Sequence, residues 1–101
     1  MREKENKEYV RKVAKELQDL YDKGNLTEYF DDVLDLSYLV NSKKEYKSVK
    51  VFVTLGGPTC WIDTYTKCVE LHWGGETASW GLPIDICDYI DEIFQEIYDN
   101  V

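Results

Sequence analysis

The stretch Val49-Lys50-Val51-Phe52-Val53-Thr54-Leu55 decides the fold, because its aliphatic residues recur at every second position. Side chains that alternate in this way point to opposite faces of a β-strand, so the valines and Leu55 are expected to face a core. Lys50, Phe52 and Thr54 are then expected to share the opposite face. The sequence therefore predicts a half-buried strand whose second face carries an aromatic residue.

Strand signals continue on both sides of this stretch. Residues 36–40 form a predicted strand that the polar segment 41–45 joins to it. Gly56-Gly57-Pro58 ends the stretch, and Gly74-Gly75 later turns the chain into a short edge strand at residues 77–80. These breaks indicate a meander of consecutive strands.

Between the two glycine turns, residues 59–64 and 67–73 predict a hairpin that turns at Tyr65-Thr66. Alternation divides its side chains between two faces. The apolar face, expected in the core, presents Cys60, Ile62, Val69, Leu71 and Trp73. The other face presents Trp61, Asp63, Cys68, Glu70 and His72.

Phe52 and Trp61 fall on the non-core face of the predicted sheet, beside Asp63, Glu70 and His72. Large rigid aromatic side chains give contact area at low entropic cost, so this group is typical of an interface patch. Packing between neighbouring strands is the alternative explanation for the same aromatic residues. We predict a partner-binding role for the group and leave the packing alternative open.

Helical periodicity flanks the sheet. Apolar residues spaced three and four apart predict a first helix over about residues 6–23, with Gly24 at its C′ position. A short second helix is predicted over about residues 27–35, capped by Thr27. Its expected inward residues are Phe30, Val33 and Leu34.

The closing helix is predicted over about residues 83–99, with Pro83 at its first helical position. Its apolar residues lie within a face about 100° wide, as expected for a helix packed on a sheet. They are Ile86, Ile90, Ile93, Phe94 and Ile97.

The chain of 101 residues has room for one domain, and its 44% hydrophobic content is enough for a core. We predict an α+β, two-layer fold for residues 1–101. An antiparallel β-meander of four to five strands over about residues 36–81 packs against an N-terminal helical pair and a long C-terminal helix.

The composition also narrows the function classes. The sequence shows no apolar signal segment and no membrane span, so we expect a cytoplasmic protein. Cys60, Cys68 and Cys87 match neither a redox pair nor a zinc knuckle, so free thiols and no metal are expected. No nucleotide-binding or hydrolase motif is present, and we expect no cofactor and no enzymatic activity. A less favoured alternative is a thiol-dependent enzyme using Cys60 or Cys68 with His72.

Charge is concentrated in one segment. Twenty acidic and twelve basic residues give a formal charge of −8, which disfavours direct binding to nucleic-acid phosphates. Residues 83–101 contain six carboxylates and no lysine or arginine, and therefore carry most of that charge. If the partner is charged, it is expected to be basic.

Five of those carboxylates fall in a stripe about 80° wide on the closing helix, opposite its isoleucines. They are Asp85, Asp88, Glu92, Glu96 and Asp99. The helix dipole favours Asp85 and Asp88 but disfavours Glu96 and Asp99. One explanation is a docking surface for a basic groove, in which the carboxylates take the place of phosphates. The alternative is a solvated face that keeps the protein soluble.

Three segments carry a resemblance to known proteins: Gly56-Gly57-Pro58, residues 69–75 and residues 82–94. Over roughly its second half, the chain resembles small acidic uncharacterised proteins of bacteriophages and other bacterial mobile elements. As a short acidic α+β protein, it is also similar to anti-CRISPR and anti-restriction proteins, several of which imitate DNA charge to block a nuclease. The resemblance implies an inhibitor of a CRISPR-associated or restriction nuclease in a bacterial host cell.

Overall fold

The computed structural model describes residues 2–32 and 35–100, and begins with a long helix, α1 (Arg2–Asp22). α1 starts about four residues earlier than the apolar periodicity predicts. Its early residues include the exposed Lys4 and Glu5, residue types that favour helix without contributing to an apolar stripe. The periodicity therefore located the packed part of the helix and missed its polar beginning.

The end of α1 confirms the C′ position predicted for Gly24, which has a φ of 75°. The Gly24 amide donates to the Tyr21 carbonyl at 3.1 Å, and the Asn25 amide donates to the Leu20 carbonyl at 2.8 Å. This pair of hydrogen bonds is a Schellman motif, which requires a residue that tolerates positive φ.

The second helix is shorter than predicted. α2 (Leu26–Tyr29) continues into a 3-10 turn (Phe30–Asp32), and Asp35 begins the first strand instead of ending a helix. Asn25 occupies the N-cap position without a side-chain hydrogen bond, so the predicted cap at Thr27 is wrong. Leu26 is the first residue of α2 and is 1% exposed, so α2 begins at a residue that the core buries. The predicted inward residues Val33 and Leu34 lie outside the described residues.

A five-stranded antiparallel sheet follows, and its spatial order is the same as its order along the chain. The strands are β1 (Asp35–Val40), β2 (Tyr46–Thr54), β3 (Thr59–Asp63), β4 (Cys68–Trp73) and β5 (Glu76–Gly81). Every neighbouring pair is antiparallel, which confirms the predicted meander.

Alternation in β2 holds for its first part. Val49 and Val51 are 1% and 0% exposed and face the core. After Phe52 the register shifts by one residue, so that Thr54 pairs with the inward Cys60 and does not share the face of Phe52. Leu55 lies beyond the strand and is 51% exposed, so its predicted burial is wrong. This register shift ends the regular alternation of β2 before the turn at Gly56-Gly57-Pro58.

The hairpin of β3 and β4 has the predicted faces. Cys60 pairs with Leu71 on the inner face, and Trp61 pairs with Glu70 on the outer face. Trp73 is the exception: it was expected in the core but is 42% exposed. It forms the last pair of the β4–β5 hairpin, with Glu76, at the end of the sheet.

The chain closes with α3 (Ile84–Asp99). Pro83 has a ψ of 145° and lies at the N-cap position of α3. The first helical position, which was predicted for Pro83, is therefore occupied by Ile84. Ile86, Ile90 and Phe94 are buried as predicted. Ile97 is 46% exposed, so its predicted burial is wrong.

Both long helices pack on the inner face of the sheet. α1 lies against β4 and β5, α3 lies against β2, and one continuous apolar core joins the layers. The fold is therefore α+β, as predicted. In the two described ranges, no helix is sufficiently long and apolar to cross a membrane.

Candidate functional site

The first candidate surface is the outward side of α3. Its five carboxylates, here called the carboxylate row, are all exposed: Asp85, Asp88, Glu92, Glu96 and Asp99. In the described part of the chain, the one ion pair joins Arg11 to Glu8 within α1, at 3.5 Å. The row therefore lacks a neutralising cation among the described residues.

The row extends over most of α3, about 21 Å at the helical rise of 1.5 Å per residue. The last turn of α3 contains no basic residue, so Glu96 and Asp99 lie unopposed at the negative end of the helix dipole. Repulsion between like charges four residues apart destabilises a helix by a few tenths of a kcal/mol per pair. A basic partner surface would relieve this repulsion.

Asp91, the sixth carboxylate of the segment, is turned away from the row and towards the sheet. The Tyr46 hydroxyl donates to Asp91 Oδ1 at 2.6 Å, and the Thr64 hydroxyl donates to the same oxygen at 2.7 Å. Thr64 Oγ1 in turn accepts the Val49 amide at 3.0 Å. On the helix, Asp91 lies about 60° from Phe94 on one side and about 60° from Asp88 on the other, so residue spacing alone did not show that it turns inward.

Tyrosine packing adds to this attachment of α3. The rings of Tyr38, Tyr46 and Tyr98 lie within 5.0 to 6.2 Å of one another, and the Tyr98 hydroxyl donates to the Lys44 carbonyl at 2.6 Å. Burial and the hydrogen bond to Asp91 raise the pKa of Tyr46 well above its usual value. These contacts attach the C-terminal half of α3 to the sheet side of the molecule, opposite the carboxylate row.

The second candidate surface is the outer face of the sheet, opposite the face that carries Cys60 and Leu71 of the apolar core. Three rings from adjacent strands lie next to one another in a tilted arrangement, here called the aromatic ladder: Phe52, Trp61 and His72. Ring centroids are 5.8 Å apart for Phe52 and Trp61, and 4.7 Å apart for Trp61 and His72. The pairing of Phe52 with Trp61 across β2 and β3 produces this alignment.

Charged groups hold Trp61 in the centre of the ladder. Its indole Nε1 donates to Glu70 Oε2 at 2.9 Å. The Lys50 ammonium lies 5.4 Å from the centroid of the indole ring, in cation–π range. The predicted site residues Phe52, Trp61, Glu70 and His72 are thus brought together on one face.

Asp63 shares this face but is only 4% exposed, so it does not offer the exposed carboxylate that its position in the hairpin suggested. Its Oδ1 accepts the amides of Tyr65 and Thr66, at 2.9 and 3.4 Å. These hydrogen bonds stabilise the turn between β3 and β4. The turn limits access to Asp63, which alternation alone does not predict.

The three thiols do not form a catalytic pair with His72. Cys60 faces the core, on the opposite side of the sheet from His72. Cys68 is on the same strand and face as His72, but four residues in a strand span about 13 Å. Burial raises the pKa of Cys60 to about 12 and that of Cys87 to about 11. Residues 2–32 and 35–100 contain no group of three or more His, Cys, Asp or Glu placed to hold a metal ion.

Comparisons of the chain with protein-family models, with curated proteins and with solved structures found no match. The carboxylate row and the aromatic ladder are therefore the basis for a functional proposal.

Proposed function

We propose that the protein is a non-enzymatic inhibitor that binds a basic groove of another protein through the carboxylate row. The observation that carries this proposal is the row itself: five exposed carboxylates on one helix, with no described cation pairing with them. An ordered array of negative charge imitates the field of a nucleic-acid backbone and steers association with a positive groove.

The anchoring of α3 supports the same proposal. A docking surface gains affinity when its groups are already ordered, because less conformational entropy is lost on binding. The hydrogen bonds of Asp91 and the tyrosine packing order α3 from the inward side. The outward carboxylates are left free for a partner.

The partner class that fits this chemistry is a nuclease, whose nucleic-acid groove is basic. The resemblance to proteins of bacteriophages and mobile elements makes a CRISPR-associated or restriction nuclease of a bacterial defence system the proposed target. The overall negative charge disfavours binding of the nucleic acid itself.

Charge reversal of the row tests the proposal. In cleavage assays with a panel of CRISPR-associated and restriction nucleases, the wild-type chain should inhibit at least one enzyme. The triple variant Glu92→Lys, Glu96→Lys, Asp99→Lys should abolish that inhibition and slow association at low salt, where screening is weak.

The matched control reverses three exposed carboxylates of α1: Glu5→Lys, Glu16→Lys and Asp19→Lys. Both triple variants have the same net charge. If only the α3 variant loses inhibition, the loss is due to the carboxylate row and not to the change in net charge. Unchanged inhibition by the α3 variant, or equal loss in the two variants, would contradict the proposal.

A second candidate is a regulatory or immunity-type module that binds its partner through the aromatic ladder. The observation that favours it is the contact of three rings on the face of the sheet opposite the apolar core. Binding through aromatic packing depends weakly on salt, whereas binding through the carboxylate row depends on it strongly. A salt titration of the association rate therefore separates the two candidates.

A further inference from the structure

The strand β1 forms an open edge of the sheet. The strand order is β1-β2-β3-β4-β5, and β1 pairs with β2 alone among the described strands. An edge strand presents backbone N–H and C=O groups that can pair with a strand of another chain, and many proteins prevent this with a lysine or a proline in the strand. β1 contains neither residue type, and its last two residues, Leu39 and Val40, are exposed apolar side chains.

The opposite edge of the sheet, β5, is better protected. α1 lies against β5, and neither long helix makes contact of comparable extent with β1. Lys7 of α1 lines a small pocket together with Thr77 and Ser79, which lie on the outer face of β5. A covering helix and a lysine beside the strand both disfavour the addition of a further strand. β1 is therefore the edge that is open to pairing.

The hydrogen bonds of β2 show which backbone groups of β1 are free. The Thr64 amide donates to the Val49 carbonyl at 3.1 Å and the Val49 amide donates to Thr64 Oγ1 at 3.0 Å, so the backbone of Val49 points towards β3. Backbone groups of successive strand residues point to opposite sides, so Lys50 points towards β1, where its partner is Ser37. The N–H and C=O groups of Tyr38, the next residue of β1, therefore point away from β2, to the open edge.

We infer that β1 pairs with the β1 strand of a second copy of this chain, antiparallel and centred on Tyr38. In this register each Tyr38 donates its backbone N–H to the Tyr38 carbonyl of the other copy. Val40 of each copy then lies opposite Leu36 of the other. Both residues belong to the inner face of the sheet, where they pair with Tyr46 and Val51 of β2. The exposed Val40 thereby gains an apolar cross-strand neighbour.

The charges at the two ends of β1 favour a second copy as the occupant. Asp35 begins the strand and is exposed. The turn over residues 41–45, which follows the strand, contains two exposed lysines, Lys43 and Lys44, against one glutamate. Antiparallel pairing brings the acidic end of each β1 next to the basic turn of the other copy. The strand is therefore complementary to itself in charge as well as in apolar contact.

Sedimentation equilibrium over a dilution series tests the association. At about 0.15 M salt, screening limits the repulsion between two chains that each carry a formal charge of −8. The measured mass should rise with concentration from that of one chain to that of two.

A lysine on the edge should prevent the pairing. Val40→Lys should raise the dissociation constant of the dimer by at least about tenfold, because a charged residue on an edge strand disfavours strand addition. The matched control is Leu55→Lys, which makes the same change of charge at another exposed apolar residue, beyond the end of β2. It should leave the dissociation constant unchanged.

Amide hydrogen exchange, followed by NMR, locates the contact at β1. The amides of Ser37 and Leu39 point towards β2 and should be protected in the single chain and in the dimer alike. The Tyr38 amide should be protected only in the dimer. In Val40→Lys the Tyr38 amide should lose its protection, while continued protection of Ser37 and Leu39 shows that the variant is folded.

A mass of one chain at every concentration overturns the inference. It is also overturned by a dimer in which the Tyr38 amide exchanges as fast as in Val40→Lys, or by a dimer that Val40→Lys and Leu55→Lys affect equally. None of these measurements uses a nuclease or alters α3, so their result is independent of the proposed function.

Discussion

The two faces of the sheet follow from the same alternation of residues but are stabilised in different ways. On the inner face, Ile62, Val69 and Leu71 are 0 to 1% exposed and belong to one apolar core. On the outer face, Trp61 and Glu70 are partly exposed and are joined by a hydrogen bond, next to an exposed His72. The inner face determines whether the chain folds, and the outer face is available for recognition.

This difference predicts where substitutions affect stability and where they affect binding. Inner-face residues contribute through exclusion from water and close packing. Outer-face residues contribute through individual contacts that remain partly hydrated. Three test substitutions, each with a control, compare contacts that face the core side of the molecule with contacts that face outward.

The largest effect is expected for Leu71→Ala on the inner face. Removing a fully buried leucine side chain leaves a cavity and should lower the free energy of unfolding by about 2–5 kcal/mol. His72→Ala, at the next residue on the outer face, should lower it by less than about 1 kcal/mol. Urea denaturation measures both values, and similar losses would show that the two faces are not energetically distinct.

An intermediate effect is expected for Asp91→Asn. The Tyr46 and Thr64 hydroxyls both donate to Asp91 Oδ1, so the change weakens two charge-assisted hydrogen bonds between α3 and the sheet. The free energy of unfolding should fall by about 1–3 kcal/mol.

The matched control for Asp91→Asn is Glu92→Gln, which removes the neighbouring outward carboxylate. Because it relieves repulsion within the carboxylate row, it should leave stability unchanged or raise it by a few tenths of a kcal/mol. Thermal or urea unfolding that ranks Glu92→Gln as the more damaging change would contradict the inward role of Asp91.

Among the three test substitutions, Trp61→Phe on the outer face is expected to have the smallest effect. The substitution keeps an aromatic ring in the ladder but removes the indole N–H that donates to Glu70. Loss of this partly exposed hydrogen bond should lower the free energy of unfolding by about 1 kcal/mol. Trp80→Phe, at a tryptophan that is 39% exposed on β5, is the control and should change stability less.

Much of the fold was predictable from local patterns. The alternation in β2 and in the β3–β4 hairpin assigned Val49, Cys60 and Trp61 to their correct faces, because a strand has only two sides. Gly24 marked the end of α1, since a Schellman motif requires positive φ. The start of α1 was missed because polar helix-forming residues carry no periodic signal.

The sites were less predictable. The carboxylate row was visible in the sequence because helical geometry alone places its members on one side of α3. The role of Asp91 was not visible in the sequence, because its hydrogen-bond partners Tyr46 and Thr64 are distant from it in the chain. The burial of Asp63 depends on the β3–β4 turn, and the exposure of Trp73 depends on where the sheet ends.

The sequence by itself determined the α+β class, the core positions of the central strands and the concentration of charge in the closing helix. These features depend on residue spacing, which operates over a few residues. Only the tertiary structure decided which carboxylate turns inward and how the rings of Phe52, Trp61 and His72 lie against one another. Those features depend on the register between strands and on the packing of α3 against the sheet, and both are set by contacts between residues distant in the chain.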